Sequence, residues 1–166
     1  MASNDLQTSF YFSVKISGNS SSGDAAFQEV SGLSKEMSVE EVVSGGENRF
    51  KYRVPAMVTY PNLVLKRGIA LVDSPLIEWC QLTLDSGLGK PIQTQNIMLN
   101  LLNADGQASM SWSFVKAYPI KWMISDLKSQ ESNVLIESIE FAYQYFEVND
   151  SRDNQYAGVA SLFGDQ

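Results

Sequence analysis

Asn96-Ile97-Met98-Leu99-Asn100-Leu101, then Asn103-Ala104-Asp105-Gly106, then Met110-Ser111-Trp112-Ser113-Phe114: this stretch decides the fold class. Ile97, Leu99 and Leu101 alternate with Asn96, Met98 and Asn100, the period of a strand with one face buried. Met110, Trp112 and Phe114 repeat that alternation on the way back. Between them, Asn103–Gly106 is a hairpin turn with glycine where a positive φ is needed. The centre of the chain therefore reads as an antiparallel hairpin.

The same period extends in both directions. Phe10, Phe12, Val14 and Ile16 share one face of an early strand, and Ser17–Asp24, rich in Ser and Gly, reads as a surface loop. Strands are predicted over Ala26–Leu33 and Lys35–Val43. Ser44-Gly45-Gly46-Glu47-Asn48 then breaks the pattern. Pro55 and Pro61 make Arg49–Asn62 read as an extended excursion outside the sheet, since proline cannot donate to a central ladder. Leu63–Ile69 returns to strand character, with Lys66-Arg67 read as strand-end charges. Downstream, Ala117–Ile124 reads as a bent strand and Val134–Val148 as one long final strand.

One helix is predicted, at about 75–85. Ser74 can cap its free N–H groups and Pro75 suits the first helical position. Leu76, Ile77, Cys80 and Leu84 form its apolar face, flanked by Trp79 and Leu82. Glu78, Gln81 and Asp85 form the polar stripe, and Gly87 supplies the stop. One short helix among about seven strands predicts a mainly β chain, an antiparallel β-sandwich or open barrel. The expected organisation is a β domain over 1–148 and a polar extension over 149–166.

The composition narrows the chemistry. The chain has 166 residues, is 44% hydrophobic and 19% charged, and carries a net charge of −7 with 12 basic and 19 acidic residues. That balance disfavours a nucleic-acid surface, which needs clustered Lys and Arg. Histidine is absent and Cys80 is the single cysteine, so a nucleophile with a His base is excluded, as are zinc sites built from His and Cys. Cys80 reads as a packed core residue. Glu40 and Glu41 are adjacent and so face opposite ways on a strand, and Glu137 and Glu140 likewise face apart. All four read as solvated charge, so no catalytic residue, metal site or cofactor is expected. Met1–Thr8 has no Lys, Arg or apolar stretch, unlike a secretory signal. The expectation is synthesis in the cytoplasm, without membrane insertion by the monomer.

Four stretches together resemble the tail-tube family of contractile phages and related injection systems. They are Phe27-Gln28-Glu29-Val30-Ser31-Gly32-Leu33; Gly45-Gly46-Glu47-Asn48 running on to Tyr60-Pro61-Asn62-Leu63-Val64-Leu65-Lys66-Arg67-Gly68; Leu76-Ile77-Glu78-Trp79; and Trp112-Ser113-Phe114 with Ala117-Tyr118-Pro119-Ile120-Lys121-Trp122 and Asp126-Leu127. Their order and spacing between about Phe10 and Val148 carry the resemblance. The Ser-rich loop and the tail after Asn149 depart from it.

The resemblance implies a structural subunit, not an enzyme, that forms six-membered rings stacked into a hollow tube inside a contractile sheath. Sheath protein, baseplate or initiator proteins, terminator proteins and a lumen cargo of protein effector or DNA are the implied partners. The implied location is a phage tail or an extracellular or cell-associated contractile particle. Under that reading Ser44, Gly45, Gly46, Glu47, Asn48, Tyr60, Pro61 and Asn62 are expected to contact the adjacent ring. Glu36, Ser38, Glu40, Asn96 and Asn100 are expected to face the lumen, and the tail after Asn149 to touch sheath or a neighbouring subunit. A type VI secretion-like tube and a non-assembling β-sandwich binding module are the alternatives.

Overall fold

The computed structural model describes residues 11–17, 24–69, 74–127 and 134–150; Gly18–Gly23 of the Ser-rich loop and the tail from Ser151 lie outside them. In chain order the elements are β1 (Tyr11–Ile16), β2 (Asp24–Phe27), β3 (Glu29–Ser31), β4 (Glu36–Val42), β5 (Tyr52–Thr59), β6 (Leu63–Gly68), α1 (Pro75–Asp85), a short 3-10 turn (Gly87–Gly89), β7 (Gln95–Leu102), β8 (Ala108–Ile124), β9 (Ile136–Ala142) and β10 (Tyr145–Asp150). All strand pairs are antiparallel. The mainly β class and the helix at 75–85, the one α-helix among the described residues, are as the sequence predicts.

The 17-residue β8 organises the sheet. Its first half lies between β7 and β10, and its second half pairs with β9. The remaining order runs β2-β1-β7 on one side and β9-β6-β3 on the other. The strand predicted to bend within Ala117–Ile124 is the second half of β8, and the left-handed residue comes just before it, at Lys116, whose φ of +51° is rare for a residue with a Cβ. β9 and β10 follow one another along β8, so the predicted long final strand is broken at Tyr143-Gln144, opposite that bend. The break also changes parity. Glu137, Ile139 and Phe141 point inward before it, and Phe146 rather than Tyr145 points inward after it.

The bend folds the sheet over one core. Val14, Phe27, Ile97, Leu99, Phe114 and Phe146 come from one half; Leu63, Leu65, Ile139 and Phe141 come from the other. The helix closes this core with Leu76, Trp79 and Cys80. Ser74 caps it as predicted, its Oγ accepting from the Ile77 N–H at 3.4 Å. Trp79 is buried rather than flanking: its ring stacks on Phe141 at 5.6 Å and its indole N–H donates to the Gln93 carbonyl at 3.1 Å. Leu84, placed on the apolar face by the sequence, is 37% exposed. Cys80 is fully buried, as expected.

Three further expectations change. The strand predicted over Ala26–Leu33 is interrupted at Gln28, because β2 pairs with β1 while β3 pairs with β6. Lys66 and Arg67 lie inside β6 rather than at its end. Glu137 is not solvated: it is the register partner of Arg67, and its Oε2 accepts from Arg67 Nε at 2.9 Å while its Oε1 accepts from Trp122 Nε1 at 2.8 Å. Both ends of the Arg67–Glu137 pair are under 10% exposed. A buried charge is tolerated only with such a partner.

A candidate assembly surface on the β4–β5 hairpin

The largest departure from the sequence reading is the segment taken as an excursion. Tyr52–Thr59 is a strand, and it pairs with β4 in a separate two-stranded sheet. The proline argument failed because both strands of such a ribbon are edges, where a missing N–H costs no ladder bond. Pro55 lies opposite Val39, next to the register irregularity between Met37 and Val39. The signal was present in the even-numbered run Phe50, Tyr52, Val54, Ala56, Val58 and Tyr60.

The base of this hairpin is where two of the resemblance-bearing blocks meet. Gly32 has φ +89°, and a Cβ built there would lie 2.0 Å from the Asn62 carbonyl oxygen. Only glycine permits that approach. Asn62 is held in turn by Nδ2 donating to Glu140 Oε1 at 2.8 Å. Tyr60 packs edge-on against Tyr143 and Phe146, at ring separations of 6.0 and 5.5 Å, and Lys35 lies over the Phe146 ring. The ribbon therefore leaves the sandwich from an anchored base.

Beyond that base it is uncovered. Met37, Val39, Val42, Val43, Phe50, Tyr52, Val54, Met57 and Val58 are all exposed, Met57 at 81% and Val43 at 71%. Among the described residues neither outer edge of the ribbon pairs with another strand. A two-stranded ribbon is marginal in water by itself, and open apolar edges are templates for pairing. At the tip, Gly45 and Gly46 turn the chain, with the Glu47 N–H donating to the Ser44 carbonyl at 3.2 Å. Gly46 takes φ +100°. Glu47 bonds Arg49 at 2.9 and 3.0 Å, and that hydrogen-bonded guanidinium holds the Glu47 carboxyl below its ordinary pKa.

The residues expected to contact the adjacent ring are thus split. Ser44, Gly45, Gly46, Glu47 and Asn48 form the tip, whereas Tyr60, Pro61 and Asn62 form the base. Eight strand residues at about 3.3 Å each put the two groups roughly 25 Å apart. The residues expected in the lumen also fall on two surfaces. Glu36, Ser38 and Glu40 alternate along β4 and are exposed. Asn96 and Asn100 lie on the polar face of β7 in the main sheet. Asn96 Oδ1 accepts from the Lys116 N–H at 3.0 Å. Asn100 is 9% exposed and donates to Ser13 Oγ at 3.4 Å. Register places Asn100 in one cross-strand row with Ser13, Ser111 and Asn149, beside a second row of Lys15, Met98, Ser113 and Glu147.

Among the described residues no group of three or more His, Cys, Asp or Glu is placed to hold a metal, and no helix is long and apolar enough to cross a membrane.

This fold is shared with solved chains of contractile systems. It matches a chain of the anti-feeding prophage baseplate, solved with six-fold symmetrisation, at 24% identity and TM-score 0.72, over 90% of this chain and 98% of that one. A chain of the extracellular contractile injection system PVC sheath–tube complex, in its extended state, matches at 19% identity and TM-score 0.68, over 85% and 88%. A type six secretion system protein matches at 12% identity and TM-score 0.53, over 84% and 83%. No match is found among curated proteins. The family model for the T4-like virus tail tube protein gp19 matches residues 8–147, and the chain belongs to that family: it is a structural tube subunit of a contractile phage tail or a related injection particle.

Proposed function

We propose that this chain assembles into six-membered rings that stack into a rigid hollow tube, which a contracting sheath drives through a target envelope. The observation that carries the proposal is the β4–β5 ribbon, apolar on an uncovered surface and open along both edges. Pairing those edges with neighbouring copies would satisfy their backbone groups and make each ring continuous. A heterologous contact of this kind closes into a ring when its rotation closes.

In this arrangement the tip, Ser44–Asn48, reaches the adjacent ring, while Tyr60, Pro61 and Asn62 set the angle at which the ribbon leaves the sandwich. The lumen is lined by the β4 face of Glu36, Ser38 and Glu40 and by the polar face of β7, where Asn96 and Asn100 lie. The lumen carries a protein effector or DNA, and the subunit itself performs no catalysis. Sheath, baseplate and terminator proteins are its partners, an assignment supported by the complexes in which the similar chains were solved. The chain divides into the tube domain over 1–148 and an extension over 149–166 that touches sheath or a neighbouring subunit, its first two residues, Asn149 and Asp150, still pairing with β8.

Size-exclusion chromatography and negative-stain imaging of concentrated protein test the proposal. Stacked rings are expected, and a monomer at every concentration would support a non-assembling β-sandwich module instead. Deleting Gly45–Asn48 should leave folded subunits that stack poorly; tubes of ordinary length would sink the role given to the tip. A cysteine placed at Glu36 should react with a bulky thiol reagent more slowly in tubes than in free subunits, Cys80 being buried and silent. Equal rates would refute the lumen placement. The type VI alternative is the weaker one, because the likeness to that class is more distant.

A further inference from the structure

We propose that segregated charge on the β4–β5 ribbon selects head-to-tail pairing between copies and excludes the edge-to-edge dimer. This rests on the tube reading above and concerns which edge meets which. Residues 36–42 carry Glu36, Glu40 and Glu41 and no cation, whereas residues 49–59 carry Arg49, Lys51 and Arg53 and no anion. The β4 strand is therefore acidic, and the β5 side is basic through Arg53 in the strand and Arg49 and Lys51 just before it. Among the described residues both edges are open, and the side chains are solvent-exposed.

Three pairings are available to two such ribbons. β4 against β4 sets acid against acid, and β5 against β5 sets base against base. Only β5 against the neighbour's β4 sets base against acid. Cross-strand pairs of opposite charge stabilise, and like charges opposite one another destabilise. The ribbon already uses this rule internally: Glu41 and Arg53 are register partners, and Lys51 Nζ donates to Glu41 Oε2 at 3.2 Å. Continued through a neighbour, the same alternation gives every acidic strand a basic strand on both sides.

Geometry agrees with charge. Copies related by rotation about one axis keep all their β4 strands in one direction and all their β5 strands in the other. Each β5–β4 contact between copies is then antiparallel, like the pairing within the ribbon. The two like-strand pairings are isologous and stop at two copies; the mixed pairing is heterologous and continues until it closes. Lys35 and the Glu47–Arg49 pair do not upset the pattern. Lys35 lies over Phe146 at the base, and Glu47 is bound to Arg49 at the tip. Apolar burial gives such an interface its strength, and charge gives it its choice of partner.

The test exchanges the charges. The variant Glu40→Lys, Glu41→Lys, Lys51→Glu, Arg53→Glu keeps complementarity but reverses its sign. It should form tubes by itself, yet enter wild-type tubes at least about tenfold less often than its share of the mixture at low salt, by two-colour imaging of labelled chains. Near 1 M salt, where screening falls to about 3 Å, the exclusion should fade. Random mixing at low salt would overturn the proposal, as would a folded exchanged variant that forms no tubes. A second arm uses half-exchanged chains, Glu40→Lys/Glu41→Lys and Lys51→Glu/Arg53→Glu. Each half-exchanged chain also loses its own Glu41–Arg53 and Glu41–Lys51 pairs, so the reading is mutual rescue: the two mixed should assemble better than either alone, and no gain on mixing would refute the charge rule. If wild-type protein forms no tubes at all, the tube reading fails first.

Discussion

Replacing Gly32 with alanine tests the geometry of the ribbon's base. Two costs add at this position. A residue with a Cβ at φ +89° gives up about 1–2 kcal/mol through left-handed strain. The new Cβ would also stand 2.0 Å from the Asn62 carbonyl oxygen and 3.0 Å from its carbon, and these are backbone atoms that no rotamer change can move aside. Forcing them apart pulls on the β3–β6 ladder of Glu29–Lys66, Val30–Leu65 and Ser31–Val64, an overpacking cost of about 1–3 kcal/mol. The expected loss is therefore about 2–5 kcal/mol. With a urea dependence of roughly 2 kcal/mol per M, the middle of the usual range, the unfolding midpoint should fall by about 1–2.5 M. Tryptophan fluorescence can follow it, since Trp79 reports the core and Trp122 the strand paired with β9. Gly45→Ala is the control: nothing lies within 4 Å of its built Cβ, so its effect should stay within about 0.5 kcal/mol. Tube yield should fall with Gly32→Ala even below the unfolding range, because the ribbon's exit angle changes. A Gly32→Ala protein with wild-type midpoint and wild-type tubes would refute the account of the base.

Three other outcomes are expected. Arg67→Met should cost about 3–5 kcal/mol in urea unfolding by leaving Glu137 charged in the core, while Arg67→Met with Glu137→Leu should recover much of that loss. Tyr143→Phe should be neutral or stabilising by about 1–3 kcal/mol, because the Tyr143 hydroxyl is buried with no partner among the described residues. Burial pushes the Tyr143 pKa up to about 12, so its contribution is complete below pH 10 and is lost as pH rises from 10 to 12; denaturation across that range should be flatter for Tyr143→Phe. Cys80 should resist thiol reagents in the native protein and react on unfolding, since no part of it is exposed.

Much of this protein was legible in the residues because its information is local and periodic. Ile97, Leu99 and Phe114 announce their strands by alternation. Asn103–Gly106 announces its turn, where Gly106 takes φ +78° and Asn103 Oδ1 accepts from the N–H groups of Asp105 and Gln107. Ser74 and Pro75 announce the helix. Absent histidine removed whole classes of chemistry without any structure. The family, too, was legible from ordered blocks of residues.

What tertiary structure decided is whatever depends on a partner far along the chain. Whether Tyr52–Thr59 is a strand depends on β4, and Pro55 is tolerated only because the ribbon has no inner strand. Whether Glu137 is solvated depends on Arg67, 70 residues away. The interruptions at Gln28 and Tyr143-Gln144 come from which strand each half pairs with, which period alone cannot express. Gly32 was visible as a glycine in a familiar block, but the reason for it is the Asn62 carbonyl, reached only when β3 and β6 lie side by side. Alternation specifies which face of a strand is buried. The identity of its neighbours is settled by long-range pairing, and among the described residues the same pairing leaves the ribbon's two edges open.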